Sequence, residues 1–164
     1  MFAGYTDKAR RAVFFARQEA IQSGASQIEA EDLLIGLLRE NRELLPQVLE
    51  SDIESFRTEI KGRLPRLESV PHGMTLPLSA MAKNVLADAA DESKTLGYEH
   101  ITTAHLLLGL LCEPAPFMVG VFQKYDLDLE EQRERLRSYV EPPLVRDFTL
   151  LRAINGVVRR ALHR

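Results

Sequence analysis

The chain has 164 residues, enough for one domain with a real core, and its 45% hydrophobic and 27% charged residues exclude a disordered chain. The formal net charge of -3 is uneven: residues 141–164 carry net +3 and residues 1–140 net -6, an acidic body with a basic tail. A single cysteine, Cys112, excludes an internal disulfide; no apolar run reaches the roughly 20 residues of a membrane span; and "MFAGYTDKARR" has no apolar signal-peptide core, so a folded cytoplasmic protein is expected, with Cys112 a buried, inert thiol.

Thr6 is a good N-cap, and Asp7 in the first turn suits the helix dipole. Ala9, Val13, Ala16, Ala20 and Ile21 then recur at helical spacing until Ser23-Gly24 supplies a stop. The next segment, "EAEDLLIGLLREN", crowds acids into its first turn, surrounds Gly36 with leucines and places Arg39 in its last turn. A helix apolar nearly all round belongs at the centre of a fold. Shorter helices are expected at about 43–51 and 53–64. "PRLESVPHGMTLP", with three prolines and a glycine, reads as a linker, assigned to residues 65–78.

The pattern then starts again. Ser79 caps a stripe of Ala82, Val85, Leu86, Ala89 and Ala90 that ends at Gly97, and "AHLLLGLL" echoes "EDLLIGLL". At an offset of 73, Leu33, Leu34, Gly36, Leu37 and Leu38 align with Leu106, Leu107, Gly109, Leu110 and Leu111, while Glu19 meets Glu92, Gly24 meets Gly97, Ile28 meets Ile101 and Val48 meets Val121. Matching caps, stops and glycines indicate an internal duplication. Helices at about 116–125 and 129–140 complete the second copy, whose extra residues at "LDL" move the offset to 76 and align Phe56, Ile60 and Leu64 with Gln132, Leu136 and Val140. An indel there marks an exposed turn.

A glycine inside a helix costs roughly 1 kcal/mol relative to alanine. Gly36 and Gly109 are therefore read as packing devices that admit another helix at close range.

Residues 141–164 follow Pro142-Pro143 with Leu150, Leu151, Ile154, Val157, Val158 and Leu162 at helical spacing among Arg152, Arg159 and Arg160. This basic amphipathic tail helix has three readings: it packs on the acidic body, it pairs with another subunit or a partner protein, or it touches a membrane or nucleic acid. The last is weakest, because no Trp anchor and no dense Lys/Arg run is present. Leu151, Ile154, Val158, Arg152 and Arg159 are its candidate contacts, and a homodimer through the tail is one outcome.

The opening "MFAGYTDKARRAVFFARQEA", the "LLIGLL" and "LLLGLL" helices and the offset near 73 resemble the Clp N-terminal repeat domain found at the front of ClpA- and ClpC-type AAA+ unfoldases. The resemblance covers residues 1–140 and implies an all-α fold: two tandem four-helix repeats, 1–64 and 79–140, related by pseudo-twofold symmetry, plus the C-terminal amphipathic helix. It also implies a non-catalytic module that docks adaptor proteins and substrates; the expected partners are a Clp-type AAA+ ATPase, an adaptor or an unfolded or tagged substrate, and no cofactor, metal, nucleic acid or membrane is expected. The sequence contains no GxxxxGK[ST], so the expectation is a stand-alone repeat protein without the ATPase modules.

Family repeats commonly read G-T-E-H before the leucine helix. Here the first copy reads Glu29-Ala30-Glu31-Asp32 and the second Thr102-Thr103-Ala104-His105, so the acidic residue survives as Glu31 and is replaced by Ala104. In ClpC-type domains that glutamate and the threonine capping the first helix help to recognise phosphoarginine, which the resemblance carries to Thr6 and Glu31. Glu29 and Asp32 beside them should repel a phosphate, so plain helix capping is the expected role of both. Thr6, Glu31 and Ser79 are the candidate partner- or substrate-binding residues, and the loss at Ala104 predicts two unequal faces. "EHITTAH" is not HExxH, and His105 is expected to be a surface or capping residue rather than a zinc ligand. No catalytic carboxylate or nucleophile pattern appears, and no enzyme is expected. The reading from another class is a regulatory or scaffold domain unrelated to Clp proteolysis.

Overall fold

Two hydroxyl caps start the two longest helices. Thr6 Oγ1 accepts from the Ala9 amide at 3.2 Å and Ser79 Oγ accepts from the Ala82 amide at 3.1 Å, each satisfying a donor that the first helical turn leaves unpaired. The computed structural model describes residues 2–49, 53–63 and 75–141. Among them are eight helices and no strand: α1 Asp7–Gln22, α2 Ala30–Glu40, α3 Leu45–Val48, α4 Ile53–Arg63, α5 Ala80–Thr95, α6 Thr103–Cys112, α7 Pro116–Lys124 and α8 Leu129–Leu136. The chain is therefore all-α, built as two tandem four-helix repeats. The linker expected over 65–78 enters the described residues only at 75–78, and Leu64 lies outside them. The tail helix, with Leu151, Arg152, Ile154, Val158 and Arg159, lies outside them too.

The stops of α1 and α5 are the same device. Gly24 and Gly97 have φ of 74° and 77°, a left-handed conformation that costs glycine little. Beyond them Ala25 N–H returns to Ala20 O at 2.9 Å and Tyr98 N–H to Ser93 O at 2.8 Å, closing the helix ends in Schellman fashion.

α2 and α6 form the centre. In α2 every residue from Asp32 to Leu38 is buried, and in α6 every residue from Thr103 to Leu111. α1 lies along α2 and α5 along α6, and the glycines set their separation. A Cβ built on Gly36 would meet Ala12 O at 2.2 Å and Ala16 N at 2.6 Å; on Gly109 it would meet Val85 O at 2.3 Å and Ala89 N at 2.9 Å. The obstacle is backbone, which cannot rotate away, so both glycines are packing devices as their spacing implied.

A buried polar network joins the repeats. Asn41, the C-cap of α2, donates from Nδ2 to Thr103 Oγ1 at 2.6 Å and to Tyr139 Oη at 2.8 Å, while its Oδ1 accepts from the Leu44 amide at 3.1 Å. All polar atoms of the amide are thus engaged in a site 1% exposed, which makes the network favourable rather than costly.

Two helices are shorter than expected. The helix read at 43–51 is reduced to Leu45–Val48, because Asn41 turns the chain at Leu44 and Leu49 is already extended. The helix read at 129–140 ends at Leu136: the chain leaves it so that Tyr139 and Glu141 reach Asn41 and Thr103. Phe56, Ile60, Gln132 and Leu136 are buried as aligned, but Val140 is 83% exposed and is no core position. Asp126, at the indel, takes φ of 53° in the turn before α8.

Gly36→Ala gains about 1 kcal/mol of helix propensity and forces α1 and α2 apart at a backbone contact, so the account predicts a net destabilisation of about 1–3 kcal/mol. Chemical denaturation measures it; a stabilised variant would show that the contact is not tight.

Candidate functional site

The starts of α1 and α5 are each tied to the other repeat. Thr6 N–H donates to Ile101 O at 2.9 Å and Ile101 N–H to Gly4 O at 2.8 Å, a parallel bridge between Tyr5 and Ile101. Ser79 N–H donates to Ile28 O at 2.9 Å and Ile28 N–H to Pro77 O at 2.8 Å, the corresponding bridge between Leu78 and Ile28. Each junction therefore combines the capped start of one repeat's long helix with the approach to the other repeat's central helix. The sequence resemblance put Thr6 and Glu31 together; the backbone instead sets Ser79 beside the segment that runs into Glu31, and Thr6 beside the segment that runs into Ala104.

The two junctions differ in charge. At the Ser79 junction, Glu29, Glu31 and Asp32 crowd the first turn of α2, and Gln27 Nε2 donates to Glu29 Oε1 at 2.7 Å. Burial raises the Glu31 carboxyl above its usual range, and the charge of Glu29 adds to the rise. At the Thr6 junction the corresponding turn is Thr103-Ala104-His105, with no acid of its own. Glu141 supplies one: its Oε1 accepts from Thr103 N–H at 2.8 Å and from the Thr103 hydroxyl. A carboxylate from the end of the second repeat thus already occupies the positive end of α6.

Asp32 and His105 hold equivalent places in the two central helices. Glu29 N–H donates to Asp32 Oδ2 at 2.8 Å, and Thr102 N–H donates to His105 Nδ1 at 3.0 Å. Accepting at Nδ1 requires that nitrogen to be bare, so the imidazole is neutral and carries its proton on Nε2. Burial drives His105 down to about 4. Burial, opposed by the Glu29 backbone hydrogen bond and reinforced by the charges of Glu31, Glu29 and Glu19, drives Asp32 up to about 6. His105 is thus a core cap and no surface residue, whereas His100 is exposed.

Cys112 is half-buried, donates to Glu92 Oε1 at 3.6 Å and has its thiol pushed up to about 11, mainly by burial and then by Glu92 and Asp88. It stays protonated near neutrality, as an inert thiol does. Among the described residues no single helix is long and apolar enough to cross a membrane.

Comparison with known proteins bears on what such paired junctions belong to. The family described as Clp repeat (R) N-terminal domain matches residues 4–125 and again residues 77–143. The chain is 31% identical over 140 residues to the ATP-dependent Clp protease ATP-binding subunit ClpC of Staphylococcus aureus, a match that covers 83% of this chain and 17% of that protein. It thus spans about one-sixth of the length of this relative. Its fold is similar to that of the Hsp104 N-terminal domain of Candida albicans, with a TM-score of 0.67 at 18% identity over 82% of this chain and 89% of that one. It is similar in fold to the ClpV N-domain solved in complex with a VipB peptide, with a TM-score of 0.62 at 19% identity over 82% and 83% of the two chains.

The Asp32 and His105 pair predicts opposing pH effects. The unfolded chain protonates His105 near its ordinary 6.5 and the folded chain only near 4, so this contribution is complete above about pH 6.5 and is lost as pH falls. Folded Asp32 takes its proton near 6 and unfolded Asp32 near 3.8, so its contribution is complete below about 3.8 and is lost as pH rises through 6. Between these limits the two cancel. In urea unfolding from pH 4.5 to 5.5, His105→Gln should make stability fall with rising pH and Asp32→Asn should make it rise, each by up to about 1.4 kcal/mol per pH unit. An unchanged slope in either variant would contradict the assignment.

Proposed function

The chain belongs to the Clp repeat (R) N-terminal domain family, and from that premise we propose that it acts as a non-catalytic protein-interaction module in regulated proteolysis. Its partner is a Clp-type AAA+ ATPase, an adaptor or an unfolded or tagged substrate. The observation that carries the reading is the duplicated junction: two places of similar backbone and different charge on one fold. The peptide-bound ClpV N-domain supports it, as a domain of the same fold that takes a partner segment.

The partner's chemistry follows from the charge. Glu29 and Glu31, with buried Asp32 behind them, make the Ser79 junction a place for a guanidinium or ammonium group, whereas a phosphate there meets like charge. At the Thr6 junction Glu141 holds the helix start and competes with any incoming anion. Docking through the Ser79 junction therefore favours a basic segment. No nucleophile is involved in this reading, in keeping with a Cys112 thiol that stays protonated.

An affinity pull-down from the source lysate, with the full chain and a Glu31→Gln variant as baits and mass spectrometry as readout, tests the proposal. A Clp ATPase, its adaptor or a set of unstable substrates should come down with the parent chain and be depleted severalfold with the variant. Recovery of none of these would refute the proposal, and equal recovery with both baits would refute docking through the Ser79 junction.

A further inference from the structure

We propose that a cavity present in the first repeat binds a compact, doubly charged oxyanion of the phosphate class. The cavity has a volume of about 90 Å³ and lies between α1, α2 and α4, over the apolar side chains of Ile35 and Leu38. Arg39, Arg42, Arg57 and Lys61 line it against one carboxylate, Glu19.

The duplication supplies the comparison that identifies its character. In the second repeat the corresponding acid, Glu92, is closed off: Arg133 Nε donates to its two oxygens at 3.0 and 2.9 Å, and the Cys112 thiol donates to it at 3.6 Å. Glu92 is thereby held by Arg133 and is 5% exposed. In the first repeat Arg39 replaces the thiol. It pairs with Glu19 at 3.4 Å and lies over the Phe15 ring, 4.2 Å from its centroid.

Glu19 is thereby engaged, and Arg57, the counterpart of Arg133, is turned elsewhere. Its Nη2 donates to Leu38 O at 3.0 Å and its Nη1 to Glu54 at 3.3 Å, a pairing that Glu130 repeats for Arg133. The Nε that in Arg133 holds the carboxylate is, in Arg57, buried and without an acceptor. Arg42 stands where the second repeat has Ala115, and neither Arg42 nor Lys61 has an ion-pair partner among the described residues. Arginine at two positions that are neutral in the second repeat thus leaves the first repeat with a cavity lined by more cations than anions.

Guanidinium groups match the oxygens of phosphate in direction as well as charge, and the excess of cations favours a dianion over a monoanion. A volume of about 90 Å³ has room for one compact group such as a phosphate. It is well below the roughly 300–1,000 Å³ of pockets that take larger ligands. The group can arrive as the free ion or on a side chain of a bound protein, and the site stands or falls independently of the Clp partner.

Titration of the full chain with inorganic phosphate and with O-phospho-L-serine, followed by amide NMR shifts against acetate at matched ionic strength, tests the inference. Saturable shifts confined to the residues around Glu19, to 35–42 and to 53–63, absent with acetate and weakened roughly tenfold or more in an Arg42→Ala/Lys61→Ala variant, are expected. Tighter binding of phosphoserine would name a side chain as the source, and tighter binding of inorganic phosphate the free ion. Both replaced side chains are exposed, so the variant should keep its fold and its spectrum elsewhere. Equal shifts with acetate, shifts centred elsewhere, or undiminished affinity in the variant would overturn it.

Discussion

Each repeat begins on an amide that the other repeat satisfies. The bonds from Thr6 to Ile101 and from Ser79 to Ile28 cost the chain little locally, yet they place each long helix against its partner repeat's central helix. Once they are made, α2 and α6 lie side by side in the middle and α1 and α5 close over them. The exchange is reciprocal, so neither repeat can complete its own helix start alone. The junctions that result are composites, and their chemistry is the sum of two distant stretches of sequence.

That composite origin explains how duplicated segments came to differ. The backbone at the two junctions is held alike by caps and bridges, while the side chains around them differ. At one junction Glu29, Glu31 and Asp32 collect negative charge; at the other a carboxylate arrives from Glu141. The repeats also differ in that Glu92 is locked by Arg133 beside Cys112, whereas Glu19 is held by Arg39 near Arg42 and Lys61, which have no ion-pair partner among the described residues. Shared packing with divergent electrostatics is what a duplicated binding scaffold allows.

Much of this was legible in the sequence, because it is written locally. Caps at Thr6 and Ser79, stops at Gly24 and Gly97, and the apolar runs around Gly36 and Gly109 each depend on residues within a turn or two, and the structure has them where the spacing put them. What escaped depends on long-range partners. Nothing near Thr6 announces that its neighbour is Ile101, so sequence reasoning joined it to Glu31 in its own repeat. His105 was legible as a cap, but its burial depends on Tyr98, whose ring lies edge-on at 4.7 Å. The early end of α8 depends on Asn41, nearly a hundred residues away. The cationic cavity was legible only as scattered arginines until α2 and α4 came together. The aligned pair Glu19 and Glu92 was the signal that could have found it.

The central claim is that the crossed bonds make the two repeats one cooperative unit and so create the junctions. Native-state hydrogen exchange at the amides of Thr6 and Ser79 tests it most directly. The account predicts that both exchange as slowly as the core amides of α2 and α6, through a common opening that releases both repeats together. Exchange of these two amides at the rate of an exposed turn, with α2 and α6 still protected, would mean that the repeats stand independently and that neither junction exists as a site.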